Sequence, residues 1–342
     1  MKGTTPLAST PPAKPTSADV ARLAGVSRAT VSRVVNDPGN SLVTEETRRR
    51  VLDAVRSLGY TPHASARALR AGRTHLILMP LVRAPLGRAV DQLIENLSRD
   101  LAARGLRLLI DADRSVAPEQ AAHSWAEHRP DAVIGGPATC PPEAVRVLRN
   151  AGVDTVVLLD SPRRRDATAL GFHDAAVAAT AARHLLDTGH RRLACLVPEG
   201  PSRQLAQRRL ERVRELADAA GAVVEAVPCS FGQDELRLAA ARWRGSRERP
   251  TAVYAFDDDY ALMLIHVLRE SGLSVPEDIA VIGSGNFPLG GVFTPRLTTT
   301  HFDMSAVSAA VCEALTRLLQ GKSLPRGTRA AMEPVLTVRE SA

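Results

Sequence analysis

A short segment near the amino terminus carries side chains that suit contact with nucleic acid. Arg28 and Arg33 each bring a guanidinium, which can donate two hydrogen bonds to O6 and N7 of a guanine. The same group can instead contact a phosphate, and both uses remain open for each arginine. Ser27, Thr30 and Ser32 carry short hydroxyl groups, which suit phosphate contacts that position a protein without specifying a base. These residue types predict nucleic-acid contact, provided that one element presents them together.

The charge of the chain is concentrated around this segment. Residues 1–73 contain 12 Lys or Arg and 5 Asp or Glu, whereas residues 74–342 contain 32 of each, so the whole net charge of +7 lies in the first part. Such a distribution indicates a polyanion-binding head on a neutral body, with a solvated basic tail as the alternative. Aromatic residues make up 3% of the chain, which argues against stacking of many bases or sugar rings on exposed rings.

Two further helices are expected to hold this segment. The first covers residues 17–24, with Ser17 as its N-cap, and the third covers residues 44–58, with Glu45 and Glu46 at its positive end. Apolar side chains recur at helical spacing in both. The residues predicted to face the other helices are Val20, Leu23 and Ala24 of the first helix and Val51, Leu52, Val55 and Leu58 of the third.

The turn between the first two helices has the residues that a helix-turn-helix needs. Ala21 is small, as required where the second helix crosses close above it, and Val31 can fill the gap between the helices. Gly25 can adopt a left-handed backbone angle, and Ser27 can cap the second helix, residues 28–36. A chance helical hairpin is the alternative.

The head resembles the lactose-repressor (LacI) family of transcription regulators. The resemblance rests on residues 19–27 (DVARLAGVS), 30–36 (TVSRVVN) and 59–62 (GYTP). It implies that the second helix lies in the major groove, with Arg28, Ala29 and Arg33 facing base edges. The DNA-binding residues predicted in this helix are Ser27, Arg28, Ala29, Thr30, Ser32, Arg33 and Asn36.

A fourth, short helix is predicted after Thr61, with Pro62 in its first turn and Gly72 as its stop. So short a helix is marginal in water and needs a partner. In the LacI family two such hinge helices pair in the minor groove, and Leu69 matches the leucine that is pushed between base steps to kink the duplex. Ordinary contact of Leu69 with the body is the alternative. The DNA-binding residues predicted here are Ala66, Arg67, Leu69 and Arg70.

The remainder of the chain alternates short apolar runs with amphipathic segments. Runs at 75–82, 106–111, 132–135, 155–160, 193–197, 223–228, 252–256 and 279–283 are predicted as buried parallel strands. This alternation predicts a doubly wound α/β architecture, and the length allows two such units. The same family resemblance extends over residues 184–192, 209–211, 272–279 and 295–299, and implies a two-lobed body like a type I periplasmic sugar-binding protein.

The predicted fold class is therefore an α-helical head with a hinge helix, joined to a two-lobed α/β body. We expect a disordered tail at 1–15, a helix-turn-helix domain at 16–61, a hinge helix at 62–73 and an effector-binding and dimerisation domain at 74–342. The first lobe is expected at about 74–171 and 304–320, and the second at about 172–303 and 321–342.

The resemblance also implies a small-molecule effector between the lobes. Arg209 holds the position of the family's effector-binding arginine. Where the family has an Asn-Asp pair, this chain has Asp257 and Asp258, and Ser284-Gly285-Asn286 replaces an aromatic residue and an aspartate. An Asp in place of Asn loses two donors and adds a charge, so a typical sugar is disfavoured, and a cationic or amine-bearing effector and a vestigial pocket both remain open. The effector-binding residues predicted are Asp160, Arg209, Phe231, Asp257, Asp258, Ser284 and Asn286.

Other chemistries find little support in the sequence. No acid, base and nucleophile set can be assembled, and the histidines show no metal-ligand spacing, so we predict neither an enzyme nor a cofactor. The four cysteines are far apart, which predicts buried thiols and not disulfides. Residues 1–17 lack the apolar segment of a secretory signal and no run is long enough to span a membrane, so we expect a cytoplasmic protein.

The expected partners follow from the resemblance. One head contacts too few phosphates and bases for operator specificity, so a homodimer on a palindromic double-stranded DNA operator is expected. No leucine heptads follow residue 340, so we do not expect the tail that makes some family members tetrameric. A solute-binding protein without a regulatory role is the alternative, which would fit the body but not the head.

Overall fold

The computed structural model describes residues 15–36, 42–61, 72–81, 88–113, 115–159, 164–171, 173–324 and 332–342. The chain forms two units, a head, Met1–Thr74, and a body, His75–Ala342. No helix in the described ranges is long and apolar enough to cross a membrane.

Three helices build the described part of the head: α1 (Ser17–Ala24), α2 (Arg28–Asn36) and α3 (Glu45–Leu58). The N-cap of α1 is Thr16, so the prediction of Ser17 was wrong. The Thr16 hydroxyl accepts a hydrogen bond from the Asp19 N–H, and the Asp19 carboxylate accepts one from the Thr16 N–H. This reciprocal arrangement needs an acidic residue three positions after the cap, and for Ser17 that position holds Val20.

The turn between α1 and α2 has the predicted geometry. Gly25 adopts φ +66°, in the left-handed region where only glycine is unstrained. The Ser27 hydroxyl accepts a hydrogen bond from the Thr30 N–H at 3.1 Å, which caps α2. Both predictions are confirmed.

Small and β-branched side chains form the core of the head. Val20, Val31 and Val51 are at most 1% exposed. Leu23 is 56% exposed and Leu52 is 41% exposed, so both were wrongly predicted to face the other helices. The inward stripe of α1 passes through Ala21 and Ala24, and that of α3 through Ala54, because the three helices pack too closely for larger residues.

The body begins with a five-stranded parallel sheet of order β2-β1-β3-β4-β5. Its elements are β1 (Leu76–Pro80), α4 (Arg88–Ala103), β2 (Arg107–Asp111), α5 (Pro118–Glu127), β3 (Ala132–Gly135), α6 (Pro142–Asn150), β4 (Thr155–Leu158) and β5 (Thr168–Ala169). Helices cover both faces because successive strand residues point to opposite sides. Ile77 packs in the same core as Leu97 of α4, whereas Leu78 packs in the same core as Trp125 of α5.

A second sheet has the order β11-β10-β9-β8-β6-β7, with β11 antiparallel to β10 and the other pairs parallel. Its elements are α7 (Ala175–Asp187), β6 (Arg192–Pro198), α8 (Arg203–Ala219), β7 (Val223–Cys229), α9 (Asp234–Arg244), β8 (Ala252–Tyr254), α10 (Asp258–Glu270), β9 (Ala280–Ser284), β10 (Thr298–His301) and β11 (Val335–Thr337). With the first sheet, this confirms the predicted two-lobed α/β body.

Three short strands escaped prediction. Strand β10 contains Thr298, Thr299 and Thr300 and no large aliphatic residue, so it lacks the apolar run by which buried strands are recognised. These threonines are nevertheless fully buried, because their hydroxyls find partners inside the fold, such as the Asp258 carboxylate for Thr299 at 2.6 Å. Strands β5 and β11 have two and three residues, too few for a periodic pattern.

The chain crosses between the lobes more than once. Helix α11 (Met304–Leu319) follows strand β10 of the second sheet in sequence but packs against α4 in the first lobe. Leu324 and Met332 pack into the same first-lobe core. The last crossing therefore lies after Met332, whereas we expected the second lobe to resume near residue 321.

The four cysteines are buried and free, as predicted. Burial raises the pKa of the Cys140 thiol to about 11 and that of the Cys195 thiol to about 12. These thiols therefore stay protonated at neutral pH and behave as small apolar core residues.

Candidate functional site

The helix α2 presents one exposed face and one buried face. Val31 and Val34 are 1% and 2% exposed and anchor the helix in the core of the head. Arg28, Ala29 and Arg33 are exposed. At about 100° per residue these three positions fall within an arc of about 140°, so one groove can receive them together.

Arg28 and Arg33 differ in ion pairing from two arginines on the neighbouring helices. Arg22 and Arg56 lie on α1 and α3 and each pairs with an aspartate three residues earlier on its own helix. Within the described residues, no carboxylate lies within ion-pair distance of Arg28 or Arg33. Their guanidinium groups are therefore available to a partner outside the chain.

The other predicted DNA-binding residues are placed less uniformly. Ser27 is exposed, whereas Thr30 and Ser32 are half-buried, and the Ser27 and Thr30 hydroxyls lie 2.9 Å apart. Asn36 is the last residue of α2. Four predicted residues of the hinge, together with Asp160 of the predicted effector site, lie outside the described residues; they are Ala66, Arg67, Leu69, Arg70 and Asp160.

A cavity of about 710 Å³ lies in the body between the two lobes. The first lobe contributes residues at the ends of its strands, among them Pro80, Gly136 and Leu159. The second lobe contributes Phe256 after β8 and Ser284 at the end of β9. The carboxyl ends of parallel strands are where α/β folds bind ligands, and the volume suits a small molecule.

Arg209 of α8 lines this cavity, but its guanidinium is hydrogen-bonded to other groups of the protein. Its Nε and Nη2 atoms donate to the two carboxylate oxygens of Asp174 at 2.7 and 2.6 Å, and Nη1 donates to the Phe256 carbonyl at 2.6 Å. Burial lowers the pKa of Arg209, but Asp174 and Tyr254 together raise it, and the net shift is upward, so the group stays charged. Sequence reasoning missed Asp174, because 35 residues separate the pair and nothing local marks it.

Asp257 lines the cavity at the start of α10 and is half-buried. Its Oδ1 atom accepts the Tyr260 N–H at 3.0 Å, which makes it the N-cap of that helix. Burial raises the pKa of Asp257 to about 6, and the neighbouring charge of Asp259 also raises it. The site therefore holds a carboxylate whose ionisation is less favourable in the folded protein than in water.

Replacing Asp257 by Asn should stabilise the body at pH 7.5. The folded protein binds the Asp257 proton more tightly than the unfolded chain does, so the residue's contribution to the free energy of unfolding falls as pH rises from about 4 to about 6. Asp257→Asn keeps the cap and should raise this free energy by about 1–3 kcal/mol at pH 7.5 and by little at pH 4.5. Urea unfolding at both pH values measures it.

The matched control is Asp218→Asn, at an exposed position of α8 that does not line the cavity. It should leave stability unchanged at both pH values. A destabilised Asp257→Asn variant at pH 7.5 would contradict the raised pKa of Asp257.

Asp258 is turned away from the cavity. It is 0% exposed, and its carboxylate accepts hydrogen bonds from the Thr299 hydroxyl and from the Phe287 N–H, both at 2.6 Å. Asp258 thus ties α10 to β10 and to the segment after β9. Within the described ranges, no three His, Cys, Asp or Glu side chains converge as metal ligands.

The polar side chains of the Ser284-Gly285-Asn286 segment also form hydrogen bonds within the protein. The Ser284 hydroxyl faces the Tyr254 hydroxyl at 3.0 Å and the Thr300 hydroxyl at 3.1 Å. Asn286 does not line the cavity, and its Oδ1 accepts a hydrogen bond from Arg339 Nη2 at 2.6 Å. Of this segment, Ser284 and Gly285 line the cavity.

Aromatic rings make up much of the second-lobe wall. Phe231, which is 69% exposed, meets Tyr260 edge-to-face at 5.3 Å between ring centroids, and Tyr260 meets Phe256 at 6.2 Å. Phe287 and Phe302 complete the set that lines the cavity. Only Phe231 was predicted here, because the other rings are brought together by separate strands and loops.

His301 is a further cavity residue that sequence reasoning did not assign to the site. Its Nδ1 atom is buried and has no hydrogen-bond partner within the described residues. Burial lowers the pKa of His301, so the ring is neutral at pH 7.5 and can offer a donor or an acceptor. An unpartnered buried nitrogen beside a cavity suits contact with a ligand.

Comparison with known proteins agrees with both units. A family model described as bacterial regulatory proteins of the lacI family matches residues 16–63, and one described as a periplasmic binding protein-like domain matches residues 182–342. The HTH-type transcriptional repressor PurR of Vibrio campbellii is 31% identical over 94% of this chain and 97% of its own length. The PurR of Photobacterium profundum is 29% identical over the same shares.

Solved structures show the same architecture. The lac repressor dimer bound to operator and an anti-inducer superposes with a TM-score of 0.75 at 24% identity, over 94% of this chain and 97% of that one. A LacI family regulator from Arthrobacter in complex with lactose has a TM-score of 0.60 at 25% identity, over 78% and 98% of the two chains. With exposed arginines on the second helix of its head and a cavity between the lobes of its body, this chain belongs to the LacI family of DNA-binding transcriptional regulators.

Proposed function

We propose that this protein is a repressor that binds a palindromic operator as a homodimer, and that a small molecule in the cavity between the lobes alters its operator affinity. The observation that carries the DNA-binding part is the pair of exposed arginines on α2 that form no ion pair with any described residue, in a head whose family binds DNA. The PurR relatives are named as repressors, and the lac repressor is a dimer on its operator.

The proposed contacts follow from the placement of the side chains. Arg28 and Arg33 hydrogen-bond base edges or the adjacent phosphates, Ala29 packs against a base, and Ser27, Thr30, Ser32 and Asn36 contact the backbone. In the hinge, Leu69 wedges between base steps while Ala66 allows close approach and Arg67 and Arg70 follow phosphates. The proposed domain boundaries are 16–61, 62–73 and 74–342.

The body supplies regulation in this proposal and no catalysis. Ligand bound by residues of both lobes shifts the first lobes of the dimer relative to each other, and this displacement is passed to the hinge helices. Of the predicted effector residues, Arg209, Phe231, Asp257 and Ser284 line the cavity and are proposed to face the ligand, whereas Asp258 and Asn286 support the wall. We place the protein in the cytoplasm, where its DNA is.

Arg28→Ala should weaken operator binding by about thirtyfold or more and relax the preference at one base position of each half-site, since each subunit loses a bidentate arginine–guanine contact of about 1–3 kcal/mol. Operators selected from random DNA, followed by gel-shift titration of the full chain on the selected site and on its single-base variants, measure both effects. Arg56→Ala is the matched control, because Arg56 is as exposed but pairs with Asp53 on α3. Equal losses in both variants would argue against base reading by Arg28.

Leu69→Ala should weaken binding to every selected operator and abolish bending of the duplex, because the wedge that holds the kinked base step open is removed. Mobility of circularly permuted operator fragments measures the bend. Leu52→Ala, at an exposed apolar position of α3, is the control and should leave the bend intact. A bend retained in Leu69→Ala would mean that Leu69 only contacts the body.

A further inference from the structure

The few aromatic residues of this chain are gathered around the cavity. The chain has six phenylalanines, three tyrosines and two tryptophans in 342 residues. Four of those phenylalanines and one tyrosine line the cavity: Phe231, Phe256, Tyr260, Phe287 and Phe302. Such a concentration in an aromatic-poor protein indicates a ligand that uses ring surfaces.

One of these rings occupies space that a polar side chain would otherwise hold. A Cβ atom placed on Gly285 would lie within 2.4–3.0 Å of the Phe287 ring, so no other side chain fits at position 285 while Phe287 stays where it is. On the same wall the Ser284 and Thr300 hydroxyls are hydrogen-bonded to each other. At Ser284, Gly285 and Thr300 this wall therefore offers a ring beside hydroxyl groups that are already hydrogen-bonded to each other, which is less suited to a polyhydroxylated ligand.

Two carboxylates beside the rings form no ion pair among the residues that the structure describes. Asp257 and Asp259 both line the cavity, and no described Arg, Lys or His lies within ion-pair distance of either. One oxygen of Asp257 accepts the Tyr260 N–H, which leaves the other oxygen for a ligand. Arg209, the nearby cation, is already held by Asp174 and the Phe256 carbonyl.

Two other arginines also line the cavity. Arg88 of the first lobe lies 5.6 Å from the centroid of the Phe287 ring, which is a cation–π distance. Arg208 also lines the cavity and has an interaction partner within the protein. Asp257 and Asp259 are thus carboxylates of the second-lobe wall that form no ion pair with any described residue.

We propose that the cavity binds a small organic ammonium ion with an apolar body, whose cation is held by Asp257 and Asp259 beside the rings of Phe231 and Tyr260, since the Phe256 ring already has the Arg209 guanidinium 4.6 Å from its centroid. Carboxylates combined with electron-rich ring faces are how proteins recognise ammonium groups. The inference rests on the proposed function, since it names the class of molecule that controls DNA binding. The raised pKa of Asp257 agrees with it, because a bound cation would stabilise the ionised carboxylate.

The test uses the purified full chain and isothermal titration calorimetry at pH 7.5. The probe is 2-phenylethylamine, and the comparison compounds of similar size are 2-phenylethanol, which is neutral, and phenylacetate, which is anionic; lactose stands for sugars. We expect the amine to bind at least about tenfold more tightly than the alcohol, and phenylacetate and lactose not to bind measurably.

Two variants locate the site. Asp257→Asn should weaken amine binding about ten- to a hundredfold and leave weak binding of the alcohol unchanged, because only the charge is removed. Phe231→Leu should weaken amine binding severalfold, and because Phe231 is 69% exposed its loss does not endanger folding. Asp218→Asn is the matched control, with the same change of charge away from the cavity, and should bind like the unaltered protein.

Several outcomes would overturn the inference. Equal or tighter binding of phenylacetate or the alcohol would assign the cavity to another class of ligand, and so would loss of amine binding in Asp218→Asn to the same extent as in Asp257→Asn. No binding of the amine by a protein that still shifts its selected operator would reject the ligand class alone. Failure to shift any operator would reject the proposed function itself, whatever the calorimetry shows.

Discussion

Raising the salt concentration from 50 to 200 mM should lower the affinity of the protein for its selected operator by about a thousandfold or more. A dimer that neutralises roughly 6–10 phosphates releases about as many condensed counter-ions. The entropy gained by this release falls as the bulk salt concentration rises, and the binding affinity falls with it. The whole net charge of +7 lies in residues 1–73, and Arg28 and Arg33 have no internal partner within the described residues. Gel-shift or fluorescence-anisotropy titrations at several salt concentrations measure the slope.

Substitution of single arginines tests which of them contribute to the salt dependence of operator affinity. Arg67→Ala should reduce the slope of log affinity against log salt by about two if Arg67 of each subunit meets a phosphate, whereas Arg56→Ala should leave it unchanged. A salt-independent affinity, or no DNA binding at 50 mM salt, would favour a solute-binding protein without a regulatory role.

Asp174→Ala should lower the free energy of unfolding of the body by about 3–5 kcal/mol, because it leaves a buried cation without its counter-charge. The Arg209 and Asp174 side chains are 11% and 17% exposed, and two of the three hydrogen bonds of the guanidinium go to this carboxylate. Urea unfolding followed by tryptophan fluorescence reports on the body alone. Trp125 lies in its first lobe, Trp243 lies in its second, and these are the two tryptophans of the chain.

The control is an ion pair of the same helix at the surface. Glu215→Ala removes the partner of Arg212, and because both side chains are well exposed the change should stay below about 1 kcal/mol. The double variant Asp174→Ala/Arg209→Leu should recover most of the lost stability, since neither charge remains buried. A loss in Asp174→Ala no larger than in Glu215→Ala would show that water screens the Arg209–Asp174 pair.

The helices of the head were predictable because short-range chemistry decides them. The left-handed angle at Gly25 and the cap at Ser27 depend on residues within a few positions, and both are confirmed. The wrong predictions for the head also concern single residues and not whole helices. Thr16 displaced Ser17 as N-cap through its reciprocal bond with Asp19, and Leu23 and Leu52 face solvent because smaller residues were needed where the helices meet.

The candidate cavity was predictable in position but not in chemistry. The family resemblance pointed to Arg209 and Asp257, which line the cavity, but it could not show that Arg209 is held by Asp174 or that Asp258 is turned toward Thr299. Strand β10 was missed for a similar reason. Its threonines are polar in sequence and become core residues only when the fold supplies hydrogen-bond partners.

The basic head with its helix-turn-helix, the alternation of strands and helices in the body, and the family could all be predicted from the amino-acid order. These depend on composition, on spacing along the chain and on bonds between near neighbours. Which buried charges neutralise each other, which polar residues face the cavity, and where the scarce aromatic rings converge became known from the folded arrangement. Those choices join residues far apart in sequence, and their energies exist only once water has been excluded between them.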